Sequence, residues 1–148
     1  QRAYDTYRKK GYSEEWINQR MKTIEMRKEL TDEWQRSGVQ QGREYAILTN
    51  EISQAWSGMT TKEYKNFKGL KKENLRDNMS NLELVLNMLA EVSTTEISRG
   101  SNPQGFEESK KVARQGGNVA RNAREEIEKQ SGKPAITSQN AKTTKEIE

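Results

Sequence analysis

Ser80-Asn81-Leu82-Glu83-Leu84-Val85-Leu86-Asn87-Met88-Leu89 is the most apolar run of the chain, and its reading decides the fold. Ser80 followed three residues later by Glu83 has the spacing of a capping box, in which hydroxyl and carboxylate satisfy each other's backbone N–H groups at a helix start. The apolar pattern continues to Ile97. The spacing therefore predicts the central helix of the fold, apolar nearly all round and buried.

Outward from that helix the same punctuation recurs. Ser13 is an N-cap candidate, and Glu14 and Glu15 follow in the first turn, where the helix dipole favours negative charge. A helix over about 14–36 is expected, stopped by Gly38. Ile17, Met21 and Ile24 fall on one of its faces and Met26, Leu30 and Trp34 on the other, so it should bridge two neighbours. Tyr45, Leu48, Ile52, Ala55 and Trp56 share one face of a helix over 43–56 that ends at Gly58. Thr60 with Glu63 repeats the capping box before a short helix over 61–67, closed by Gly69, and 74–78 forms a single turn. Turn residues crowd into Arg99-Gly100-Ser101-Asn102-Pro103-Gln104-Gly105, and beyond them a last helix over 106–130 carries a stripe of mostly small residues: Val112, Gly116, Val119, Ala120, Ala123 and Ile127. Gly116 and Gly117 each cost a helix about 1 kcal/mol relative to Ala, so a packed or bound neighbour is expected to compensate.

The expected architecture is all-α: a multi-helix orthogonal or elongated bundle without a β-sheet. Residues 1–100 form a helical core, 101–105 a turn, 106–131 a C-terminal helix packed on the core or on a second subunit, and 132–148, rich in Thr, Ser, Asn and Lys, a flexible tail. Hydrophobic residues make up 30% of 148, and mean hydropathy is −1.17, so the core must be thin and a homo-oligomer is expected. Trp16, Trp34 and Trp56 are assigned to the core rather than to an oligomer interface.

Composition also removes most chemistry. The chain has no His and no Cys, hence no neutral-pH acid/base group, no thiolate and no disulfide. Carboxylate chemistry remains, but Asp5, Asp32 and Asp77 are far apart and most Glu sit beside Lys or Arg at helical spacing, as Glu25 does with Lys28. A magnesium site built on Asp77 is the remote alternative. No catalytic residue, cofactor, metal or small-molecule substrate is expected. There is no run of about 18 apolar residues and no leader pattern, so no membrane partner is expected and a cytoplasmic location is. The start at Gln1, inside a charged helical-looking stretch, reads as part of a longer protein.

The net charge is +4 and the isoelectric point about 9.2, mild values that make distribution matter more than sum. Lys62, Lys65, Lys68, Lys71, Lys72 and Arg76 form a basic run, with Tyr64 and Phe67 interleaved as anchors beneath it. Lysines so spaced on a short helix and the loop after it can contact several phosphates. The competing reading is a solvated face whose Lys stems cover apolar surface. On the last helix Lys110, Arg114, Arg121 and Arg124 line up with Gly117 in the gap, where a phosphate backbone or another helix can approach closely. Flanking Glu107, Glu108, Glu125, Glu126 and Glu128 support the competing view of a salt-bridged exposed helix.

The stretches Gly11-Tyr12-Ser13-Glu14-Glu15-Trp16-Ile17-Asn18-Gln19-Arg20, Arg27-Lys28-Glu29-Leu30-Thr31-Asp32-Glu33-Trp34, Glu44-Tyr45-Ala46-Ile47-Leu48-Thr49-Asn50-Glu51-Ile52 and Lys68-Gly69-Leu70-Lys71-Lys72-Glu73-Asn74-Leu75-Arg76-Asp77-Asn78-Met79 resemble the C-terminal half of DNA-damage-inducible protein D and of phage antirepressors of the BRO type. The resemblance runs from about 4 to 130. It implies a bacterial or prophage protein of the damage (SOS) response, acting without catalysis by contact with DNA, a repressor or a recombinase filament. That family's N-terminal BRO domain has no counterpart in these residues, and the family offers no catalytic residues to carry over. Two roles stay open: a regulator that binds DNA or a protein partner through its basic surfaces, and a structural oligomerisation domain presenting the missing N-terminal domain.

Overall fold

Each capping signal sits where a helix begins. The computed structural model describes residues 2–140, which form α1 (Arg2–Lys9), α2 (Glu14–Arg36), α3 (Arg43–Ser57), α4 (Thr61–Phe67), a 3-10 turn (Arg76–Asn78), α5 (Asn81–Ser101) and α6 (Gly105–Ser131), with no strand among the described residues. The Ser13 hydroxyl accepts from the Trp16 N–H at the start of α2. Complete capping boxes, Thr60 with Glu63 and Ser80 with Glu83, open α4 and α5. At the other ends Gly58 and Gly132 take the left-handed conformation that lets a glycine close the last turn, and Asn102 does the same after α5 at φ 51°. Because Asn102 accepts that role, α5 runs to Ser101, past the Ile97 end expected for it, and only 102–104 separate it from α6.

α5 is the centre of a helical bundle. It packs on α2 on one side and α6 on the other, while α3 lies along α6. Trp34, Trp56, Ile17, Leu30, Leu48, Ile52, Leu84 and Leu86 are sealed in the core, and Trp16 is buried with them. α1 is fastened to α2 by aromatic contact: Tyr7 meets Trp16 edge-on at 5.2 Å, and Tyr12 stacks on Trp16 at 4.1 Å. The Trp16 indole N–H then donates to Met79 O at 3.0 Å, tying this end of α2 to the start of α5. No described helix is long and apolar enough to cross a membrane.

The paired glycines of α6 are explained by two neighbours at once. A Cβ on Gly116 would sit 1.9 Å from the Thr94 hydroxyl and 2.6 Å from its backbone N on α5; one on Gly117 would sit 2.5 Å from the Ala55 Cβ and 2.9 Å from Ile52 O on α3. Their helix-propensity cost is the condition for α6 to wedge between both helices.

Three expectations need correction. α5 is not apolar nearly all round: it buries Glu83, Asn87, Glu91, Thr94, Thr95 and Ser98 beside its leucines. Ile24, read into a packing face of α2, is 40% exposed, and Val119 and Ile127 of the α6 stripe are 41% and 37% exposed, because α5 and α3 cover narrower arcs of those helices than the sequence pattern offers. Of the stretch 132–148 read as a flexible tail, 132–140 lies on the body, with Ala135 and Ile136 buried and the Ala135 N–H donating to Glu128 Oε2 at 2.9 Å. Residues 141–148 lie outside the described residues.

Candidate nucleic-acid interface

The basic run is divided by the fold. Its α4 members, Lys62 and Lys65, reach the surface, as do Lys71 and Lys72 on the loop that follows; Lys62, Lys71 and Lys72 are exposed and Lys65 is half-buried. Lys68 does not belong with them. Its side chain has no exposure, and its ammonium lies 2.8 Å from Glu83 Oε1, 2.8 Å from Thr137 O and 2.6 Å from Gln139 O, 5.8 Å from the centre of the Tyr64 ring. Lys68 is a core residue and is withdrawn from the interface. Desolvation forces this pairing, since an ammonium taken out of water must find acceptors on every side. The Glu83 carboxylate also accepts from the Tyr64 hydroxyl and the Ser80 N–H. Burial, together with that carboxylate, pushes the Tyr64 phenol far above its ordinary value. Phe67, expected as an anchor beneath the lysines, is 46% exposed, and Tyr64 alone anchors α4.

Arg76 is half-turned inward. Its guanidinium Nη2 meets Glu91 Oε2 at 2.7 Å, and Arg27 Nη1 meets the same oxygen at 3.1 Å. Arg27 Nη2 also donates to the Thr49 hydroxyl at 2.6 Å, and burial holds the Arg27 pKa below its ordinary value. Two arginines on one buried carboxylate leave a net positive group at this spot.

The acids between the lysines are directed at backbone. Glu63 Oε1 accepts the Thr60 N–H at 2.8 Å as part of the cap. Glu73 Oε1 accepts the N–H groups of Lys71 and Lys72 at 2.8 and 3.1 Å, and these bonds hold its carboxyl below the usual range. Neither acid pairs with a lysine ammonium among the described residues.

α3, α4, the 72–76 loop and α5 enclose a cleft of about 330 Å³, whose polar lining includes Ser53, Lys65, Lys72, Arg76, Asn87 and Glu91. Asn87 and Glu91, with Glu83, are the buried polar residues beside this cleft whose burial the sequence reading missed. Their signal was there: Glu83, Asn87 and Glu91 stand at i, i+4 and i+8 on one face of the most apolar helix.

The second basic stripe stays at the surface, with Arg114 and Arg121 exposed and Lys110 and Arg124 half-buried, but most of it is engaged by neighbours. Arg114 pairs with Glu51 of α3, and Arg124 donates to Trp56 O at 2.8 Å and to Glu128 Oε1 at 2.9 Å. Lys110 lies 5.9 Å from the centre of the Phe106 ring. Arg121 is exposed and makes neither hydrogen bond nor ion pair among the described residues. Gly117 in the gap receives α3, not a phosphate. Asp77, the seed of the remote magnesium reading, accepts from the Tyr7 hydroxyl at 2.7 Å and from Arg20 Nε at 2.8 Å. No group of three or more acidic residues converges on a metal-sized space among the described residues.

Residues 13–147 match the family model described as the DinD C-terminal domain, so the chain belongs to that family and to the setting of DNA-damage-inducible proteins. The match begins after α1 and extends through the 132–140 segment, later at both ends than the 4 to 130 resemblance. No curated protein and no solved structure matches the chain.

Proposed function

We propose, proceeding from membership of the DinD C-terminal domain family, that the protein works by binding rather than catalysis, and that the face carrying Lys62, Lys65, Lys71 and Lys72 receives nucleic-acid phosphates. The observation behind this reading is the division of labour among charges: the nearby acids are engaged by backbone N–H groups, while the ammonium groups of the four lysines on α4 and the next loop, three exposed and Lys65 half-buried, make no ion pair among the described residues. Each phosphate neutralised by such a cation releases counterions, which makes affinity steeply salt-dependent. Four contacts give a slope of log affinity against log salt of about −3.6 on duplex and about −2.8 on single strands. Reversing Lys71 and Lys72 to Glu should weaken binding and flatten the duplex slope by about 2. Unchanged affinity and slope in that variant remove the face from the account. An acidic surface on a repressor or recombinase is the protein partner that the same charges suit.

A second reading is an oligomerisation domain that presents an N-terminal domain and touches no nucleic acid. It is favoured by the exposed apolar side chains Ile24, Phe67, Val119 and Ile127. Analytical ultracentrifugation beside an electrophoretic shift assay separates the two, since this reading requires a stable oligomer and no shift.

A further inference from the structure

The cleft beside the lysines holds more unpaired polarity than a structural seam needs. Among the described residues six buried side-chain polar atoms have no hydrogen-bond partner, and three of them, Arg76 Nε, Asn87 Nδ2 and Glu91 Oε1, belong to residues lining this one cleft. Native proteins pair nearly all such atoms, so a cluster of unpaired ones calls for an explanation. The cluster is mixed: two donors and one acceptor. A bare phosphate brings acceptors only and leaves the Glu91 oxygen unpaired, and a bare cation is repelled by Arg76, Lys65 and Lys72. What fits is a flat polar edge that offers one donor and two acceptors. The Watson–Crick edge of a pyrimidine has that set: cytosine presents its amino group with N3 and O2, and thymine its N3–H with O4 and O2. Purine edges do not match in number, since guanine reverses the count and adenine offers one acceptor beside its amino group.

The rest of the cleft agrees with this edge. Leu75, half-buried, also lines it and supplies apolar surface for the face of a base, with the buried Ile52 and Met79 behind it. Lys65 and Lys72 line it too, and a phosphate attached to the sugar can meet them there. Its volume of about 330 Å³ suits one nucleotide rather than two. We infer that the cleft between α3, α4 and α5 takes one unpaired pyrimidine nucleotide, with the base edge on Arg76, Asn87 and Glu91 and the phosphate on Lys65 and Lys72. Because the three edge atoms are buried, the Arg76 side chain, 24% exposed, eases outward as the base enters. This rests on the phosphate-binding reading above when the nucleotide is part of a strand, and stands apart from it when the nucleotide is free.

The test uses the 148-residue chain with oligo(dT), oligo(dC), oligo(dA), a duplex of equal length, and free thymidine and deoxycytidine monophosphates, followed by calorimetry. Pyrimidine strands should bind at least about tenfold more tightly than oligo(dA) or duplex, the worth of one or two base-edge hydrogen bonds. A pyrrolo-cytosine placed in an oligo(dC) should brighten on binding, because it leaves the stack. Asn87→Leu, close in shape and apolar, should erase the pyrimidine preference while duplex binding persists; Asn87→Ser serves if the first variant does not fold. Pyrimidine preference kept in a folded Asn87 variant, equal affinity for oligo(dA), or unchanged pyrrolo-cytosine emission at saturation overturns the inference and leaves the phosphate reading intact. Binding of free pyrimidine nucleotides without any strand binding supports the cleft and sinks the phosphate reading. No binding of either sinks both.

Discussion

Replacing Lys68 by Met separates a buried ammonium from a surface one. The side chain has no exposure, and its ammonium meets the Glu83 carboxylate at 2.8 Å and the carbonyls of Thr137 and Gln139 at 2.8 and 2.6 Å. Breaking a buried pair from one side costs about 3–5 kcal/mol, because the remaining charge stays desolvated. Glu83 keeps the Tyr64 hydroxyl and the Ser80 N–H, and Met fills most of the Lys stem volume without a cavity. The lower end applies, about 3 kcal/mol, out of a net stability on the order of 5–15 kcal/mol. For a chain of this size that is a fall in melting temperature of about 6–12 °C. Lys71→Met, on exposed surface, should stay within about 0.5 kcal/mol of the parent. Amide exchange over 135–140 should quicken in the Lys68 variant alone, since two carbonyls there lose their donor. Adding Glu83→Gln removes the stranded charge and should recover about 1–2 kcal/mol, read as a coupling in a double-mutant cycle by urea denaturation. A Lys68→Met protein that melts within about 2 °C of the parent, yet loses nucleic-acid affinity as Lys72→Met does, would show that Lys68 is a surface cation and refute the assignment.

Gly116→Ala should destabilise by about 2 kcal/mol or more, because overpacking against the Thr94 backbone outweighs the roughly 1 kcal/mol of helix propensity gained; Gly100→Ala, with nothing within 4 Å of its Cβ position, should instead be neutral or stabilising, and thermal melts compare the two. Hydrogen bonds from Arg36 and, less strongly, Ser98 hold the Glu33 carboxyl below its ordinary 4.5, so its stabilisation is present above pH 4.5 and disappears as pH falls through the folded value. The gap between Glu33→Gln and the parent in urea midpoint should therefore be open at about pH 7 and narrow towards about pH 3, and a gap independent of pH would contradict the pairing. Burial and the Asp77 carboxylate raise the Tyr7 hydroxyl to about 12; a raised phenol stabilises the fold below its unfolded pKa of about 10 and ceases to as pH rises through the folded value. Absorbance at 295 nm should thus show several late-ionising tyrosines, Tyr64 and Tyr7 among them, and Tyr7→Phe should lower the late amplitude by one tyrosine without abolishing it.

What could be read before the fold was known follows the range of the interactions involved. Helix starts at Ser13, Thr60 and Ser80 depend on partners three residues away, so residue types alone reveal them. Which apolar residues stay dry depends on how wide an arc a neighbouring helix covers, and Ile24, Val119 and Ile127 were misplaced for that reason. The basic run posed the harder problem, because nothing local distinguishes Lys68 from Lys71; its fate is set by Glu83 on another helix and by carbonyls about seventy residues on. Yet half of that outcome was implied. A helix as apolar as α5 goes to the centre, and Glu83, Asn87 and Glu91 at i, i+4 and i+8 must go with it. Buried carboxylates draw cations inward. Lys68, Arg76 and Arg27 are the cations so drawn. A basic patch facing a polar stripe on a core helix should therefore be discounted by the number of acids in the stripe before its remaining charge is assigned to a ligand. Here the discount removes Lys68 and partly occupies Arg76, which leaves Lys62, Lys65, Lys71 and Lys72 to carry the proposed interface.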